Sequence, residues 1–188
     1  MVGAMKEILL PQILNQGSIP GCASFAVAGL SDYYLKLKGI DDSIDPIALF
    51  NACERGGNGT NITQTVEYGK DKGLPSIKGN RYFIREWRPV AQSISELERN
   101  LDQHGGLVCT YSLHDKDPFV KRLDDNAVLS RPPMDLHALV ICGYDRLTRM
   151  FKLANSWGEK FGRAGYFYIP YTLMRSEYLK QVFWFSLA

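Results

Sequence analysis

Four side chains spread along this chain are of the kinds that together perform nucleophilic chemistry at a carbonyl: the thiol of Cys22, the imidazole of His137, and the amides of Asn155 and Gln16. Cys22 lies in the stretch N-Q-G-S-I-P-G-C-A-S-F, Asn15 to Phe25, where a glycine-rich turn gives way to a helix. Unpaired N–H groups and the positive dipole end at a helix start favour thiolate over thiol, and the thiolate is the nucleophile. Gly17 and Gly21 let the backbone turn tightly on either side of Pro20, whose own φ is fixed. Taken alone, Cys22 reads more simply as a small core residue and Gln16 as a loop residue.

His137 and Asn155 arrive in matching settings. D-L-H-A-L-V-I-C-G-Y-D sets His137 at the head of an apolar, strand-like run, and F-K-L-A-N-S-W-G sets Asn155 at the end of the next one. With the Q-G-S block of Gln16, the N-S-W-G block from Asn155, the following G-Y-F-Y-I and a weaker N-G-T-N-I from Asn58, these segments resemble the papain family of cysteine proteases. The resemblance implies that Cys22 attacks a peptide carbonyl. His137 then takes the thiol proton and returns it to the leaving amine, and Asn155 orients the imidazole. Gln16 and the Cys22 N–H would form the oxyanion hole, and Trp157 would shield the bond between Asn155 and His137. Substrate contacts are implied for Gly59, Thr60, Asp135, Ala138 and Trp157. At Asp135 two readings stand. Either its carboxylate faces the cleft and selects Lys or Arg, or the strand is offset by one residue so that Leu136 faces the pocket.

The sequence also departs from the family pattern. Ala23 stands where an aromatic residue is usual, Ile19-Pro20-Gly21 replaces C-G-S, and Thr60 puts a side chain that would narrow the cleft where the family has a glycine. The spacing from Cys22 to His137 falls short of the roughly 130 to 150 residues common in such enzymes, which implies trimmed loops. No inhibitory prosegment is recognised ahead of the domain. Either the sequence starts at a mature domain, or the enzyme is controlled in another way.

Elements must bring these residues together. Cys22, Ala26, Gly29, Tyr33 and Leu37 recur at the spacing of one helical face, with Gly39 as a left-handed cap. Asp45-Pro46 starts a second helix through Cys53, and Asn61 caps a third that stops before Gly73. Ser93 and Glu96 form a capping-box pair for a fourth, ended by Gly105. L-V-C-T-Y-S-L, the His137 run, M-F-K-L-A, G-Y-F-Y-I and Q-V-F-W-F-S-L then read as five strands of a curled antiparallel sheet or barrel. The expected organisation is a helical subdomain, 1–90, carrying Gln16 and Cys22, and a β-rich subdomain, 91–188, carrying His137 and Asn155. The resemblance implies the papain-like α+β fold, a mainly helical half against an antiparallel β-barrel-like half, with the active-site cleft between.

Composition narrows the partners. A chain of 188 residues, 45% apolar and 22% charged, can bury one core or two small adjoining ones. A net charge of +2 supplies no drive toward nucleic acid or an acidic membrane. No signal peptide and no apolar run long enough to span a bilayer is present, so no membrane partner is expected. Cys22, Cys53, Cys109 and Cys142 form no C-x-x-C pair, so neither metal nor disulfide is expected, and Cys53, Cys109 and Cys142 read as core packing. Ile19 stands where secreted relatives carry a disulfide cysteine, which fits an intracellular, reducing compartment. His104 reads as a helix-end cation and His114 as solvated surface. The expectation is a monomeric peptidase without cofactor, acting on peptides or proteins and leaning toward internal cleavage. An isopeptidase, deamidase or acyltransferase would use the same machinery, and a catalytically silent binding module is the remaining class.

Overall fold

Helix α1, Cys22–Leu37, is the axis about which the chain is arranged in this computed structural model, which describes residues 5–54, 59–112 and 136–188. Its first ten positions after Cys22, Ala23 to Asp32, are all buried. Small residues on every side (Ala23, Ser24, Ala26, Ala28, Gly29, Ser31) let partners approach from all directions, so the helix is enclosed rather than half-exposed. Leu37, expected on the buried face, is instead exposed, because the helix has run past its partners by its last turn. Gly39 takes the left-handed conformation expected of it, with φ +69°.

Two short helices pack on α1, each started by the residue its sequence nominates. In α2, Pro46–Cys53, Asp45 Oδ1 accepts from Ile47 N and Ala48 N at 3.0 and 2.9 Å, and Pro46 fills the first turn. In α3, Ile62–Asp71, Asn61 Oδ1 accepts from Gln64 N at 2.8 Å. Helix α4, Ile94–His104, opens on Ser93, whose hydroxyl accepts from Glu96 N, and ends on Gly105 at φ +83°.

The sheet carries the rest. Strands β4 (Ile84–Pro89), β9 (Leu179–Leu187), β5 (Leu107–Tyr111), β6 (His137–Asp145), β7 (Met150–Ala154) and β8 (Tyr166–Pro170) are neighbours in that order, all antiparallel. Strand β1, Lys6–Glu7, pairs with the far end of β6, beyond the reach of β5. A hairpin of β2 (Leu74–Pro75) and β3 (Arg81–Tyr82) stands apart. The expected barrel does not close: β4 and β8 end the path without pairing to each other. Strand β4 also went unread in the sequence, because R-E-W-R at a sheet edge keeps its charges in water and shows no clean apolar alternation. Both β1 and β4 come from the first ninety residues, so the sheet draws on both halves of the chain.

A hydrophobic core lies on each face of the sheet. Ala138, Val140 and Cys142 of β6 face α1 and its helices, whereas Leu139 and Ile141 face the core that α4 covers. The alternation breaks where the β6–β7 register shifts between Ile141 and Gly143, so that Tyr144 joins the α4 side. Gly143 is required at that crossing, since a Cβ would lie 2.2 Å from the Lys6 carbonyl oxygen on β1.

Candidate active site

The start of α1 and the start of β6 come together. Cys22 heads the helix, and the backbone amide of Ala138, next to His137, lies within hydrogen-bonding reach of its sulfur. Burial pushes the Cys22 thiol up, and the N–H groups of Ala138, Ala23 and Cys22 pull against that rise without cancelling it. The N–H groups at the helix start favour the thiolate, as expected from sequence, but burial outweighs them. Half-buried sulfur loses more from desolvation than three backbone dipoles restore.

On the sheet side, β6 and β7 are paired through Val140 and Ala154, which carries Asn155, one residue past β7, alongside the start of β6. His137 Nε2 and Asn155 Oδ1 are 2.7 Å apart, and both side chains are buried. The backbone N–H of Ser156 also donates to this Asn155 oxygen at 2.8 Å. A backbone N–H can only donate, so the Asn155 atom facing His137 is the oxygen. His137 Nε2 therefore carries a hydrogen, and Nδ1 is the basic nitrogen of the neutral ring. The Trp157 ring lies over this arrangement with its centroid 4.9 Å from that of His137, backed edge-on by Phe161.

Gln16 joins the same network from the helical side. Its backbone N–H donates to Ser156 O at 2.8 Å, its Oε1 accepts from the Ser156 hydroxyl, and its Nε2 donates to Ile19 O at 2.9 Å. The Ile19 carbonyl can only accept, which sets the amide orientation and commits one of the two Nε2 hydrogens. Gln16, Ser156, Asn155 and His137 thus form one continuous chain of hydrogen bonds. Ser156, buried at its centre, was missed in the sequence reading; its only signal was its place between Asn155 and Trp157.

Gly59 and Thr60 lie against the turn that leads into Cys22. Gly59 has φ +77°, and a Cβ there would sit 2.6 Å from Pro20 O. The Thr60 hydroxyl is 3.1 Å from that of Ser24 on α1, so the side chain expected to narrow the cleft is tied to the helix. Ala138 is buried, Trp157 half-buried, and Leu136 exposed at 52%. Asp135, Asn58 and His114 lie outside the described residues. His104 ends α4 stacked on Trp184, ring centroids 4.0 Å apart.

None of the four cysteines is in a disulfide, and Cys22 alone is more than marginally exposed. Burial pushes the Cys142 thiol up to about 12 and raises Cys109 further, so both are inert at neutral pH. Among the described residues no cluster of His, Cys, Asp and Glu is suited to a metal, and no helix is long and apolar enough to cross a membrane.

Residues 84–177 match the family model for papain family cysteine proteases. A stretch of 48 residues, 26% of this chain, is 40% identical to an uncharacterized peptidase C1-like protein of Acanthamoeba polyphaga mimivirus, and it spans 15% of that protein's length. Among solved structures, xylellain, a cysteine protease from Xylella fastidiosa, aligns with a TM-score of 0.83 at 19% identity, over 99% of this chain and 87% of that one. Procathepsin B from Trypanosoma congolense gives 0.76 at 18%, over 95% and 73% of the two chains. Procathepsin L 3 of the Tenebrio molitor larval midgut gives 0.73 at 15%, over 99% and 70%. Identities this low speak for the fold.

Proposed function

Because the chain belongs to the papain family of cysteine proteases, we propose that it is a peptidase in which Cys22, His137, Asn155 and Gln16 act together on a peptide carbonyl. The observation that carries this reading is the buried 2.7 Å bond from His137 Nε2 to Asn155 Oδ1, beside an Ala138 amide that reaches the Cys22 sulfur. It commits Nε2 to Asn155 and so makes Nδ1 the nitrogen that exchanges a proton, while the ring is held still.

Each step then has a residue. His137 Nδ1 takes the Cys22 proton, and the thiolate and imidazolium stabilise each other where burial alone would keep the thiol neutral. The sulfur adds to the substrate carbonyl carbon, and negative charge moves onto its oxygen. The Cys22 N–H and the second Nε2 hydrogen of Gln16 donate to that oxygen. Collapse of the intermediate breaks the C–N bond as His137 gives its proton to the departing amine. Water, deprotonated by the same ring, then hydrolyses the thioester and returns Cys22.

The test is intact mass after treatment with a peptidyl epoxide that alkylates activated thiols, with hydrolysis of fluorogenic peptides measured in parallel. One adduct on Cys22 and peptide turnover are expected. No adduct would point to a silent module, and an adduct with turnover only of ubiquitin-like conjugates would point to an isopeptidase.

A further inference from the structure

Gln16 can serve an oxyanion only if its amide is held within a few tenths of an ångström, and the residue before it supplies a tie that the reaction scheme does not use. Asn15 Oδ1 accepts from Gly17 N at 3.1 Å, closing a turn across Gln16, and Gly17 has φ +57°. Asn15 also pairs as an isolated antiparallel bridge with Trp157. Its side chain rests on Gly158, where an added Cβ would lie 3.2 Å from Asn15 Nδ2, and Gly158 N donates to Leu14 O at 3.1 Å. The turn carrying Gln16 is therefore pinned to the turn that carries Asn155, Ser156 and Trp157. The pin is an exposed side chain with no part in either core.

We propose that Asn15 is a positioning residue for the oxyanion donor Gln16, acting through the Gly17 turn and its seat on Gly158. This rests on the reading of the chain as a cysteine peptidase. Without the Asn15 acceptor the turn across Gln16 loosens, and the Gln16 amide, still bonded to Ser156 and Ile19, is held less closely at the point where it meets the developing oxyanion. The ground-state complex gains little from that donor, so the loss falls on kcat rather than KM.

The experiment compares the parent, Asn15→Ala, Asn15→Ser, Gln16→Ala and the Asn15→Ala/Gln16→Ala pair on one fluorogenic peptide. Removal of a whole oxyanion donor costs about a hundred- to a thousandfold, so a loosened one is expected to cost about tenfold in kcat with KM within about twofold. Asn15→Ser keeps an acceptor for Gly17 N and is expected to recover most of that loss. In the Gln16→Ala background, Asn15→Ala is expected to cost almost nothing more. An Asn15→Ala enzyme with the parent kcat overturns the proposal, as does a loss confined to KM, or one that persists in full without Gln16. A parent that does not hydrolyse peptides sinks the peptidase reading, and this inference with it; an active parent isolates the failure to Asn15.

Discussion

Asp32→Asn is expected to leave stability almost unchanged below pH 4 and to raise it at pH 8. Asp32 lies in the middle of α1 with 5% of its surface exposed, and Oδ1 accepts from Ile44 N at 2.7 Å. Burial raises its carboxyl to about 7, against the pull of the Ile44 hydrogen bond, and the nearby Asp42 charge adds to the rise. In the unfolded chain the group titrates near its ordinary value of about 3.9. A folded pKa above the unfolded one means that the stability contribution is complete below about pH 4 and declines as pH rises to about 7, because the unfolded chain sheds the proton first. Three pH units at 1.36 kcal/mol each give a decline of about 4 kcal/mol at most, reduced where water enters beside the charge. Asparagine keeps an oxygen for Ile44 N and has no charge to bury. Urea unfolding of both proteins at pH 4 and pH 8, with Cys22 alkylated in each, should show nearly equal stabilities at the lower pH. At the higher pH the variant should lead by about 2 to 4 kcal/mol. A lead that is the same at both pH values, or absent at pH 8, would show that Asp32 ionises at no cost in the folded protein and refute the reasoning.

Cys22→Ala should abolish peptide turnover while leaving the thermal midpoint within a few degrees of the parent; residual hydrolysis in the purified variant would assign the reaction to another residue. Asn155→Ala should lower kcat about ten- to a hundredfold through loss of the His137 orientation, with Cys22 still open to alkylation, and an unchanged kcat would remove Asn155 from the site. Gly165→Ala should cost about 2 kcal/mol or more, since φ is +85° and the new Cβ would lie 2.4 Å from Ile13 Cγ2; a variant with the parent's urea midpoint would mean that the segment leading to Gln16 yields freely.

What the sequence determined by itself is local or carried by residue type. Asp45, Asn61 and Ser93 cap their helices because a side-chain oxygen two or three residues from a free N–H needs nothing else from the fold. Gly39 and Gly105 end helices because glycine tolerates positive φ. Cys22, His137, Asn155 and Gln16 could be nominated because their motifs carry a family resemblance, and the first three stand at the ends of readable elements. The tertiary structure alone decided what depends on which elements become neighbours. Ser156 meets Gln16 across 140 residues of chain, and no pattern within a window of a few turns contains that contact. Strand β4 exists because β9 offers it an edge, and the sheet stays open because β4 and β8 do not pair. The helix dipole at Cys22 was legible, but the burial that outweighs it is set by the packing of α1 against β6. Asp32 reads in sequence as one more polar residue on a helix; its shifted acidity comes from enclosure on all sides, which is a property of the packed fold and not of the chain near it.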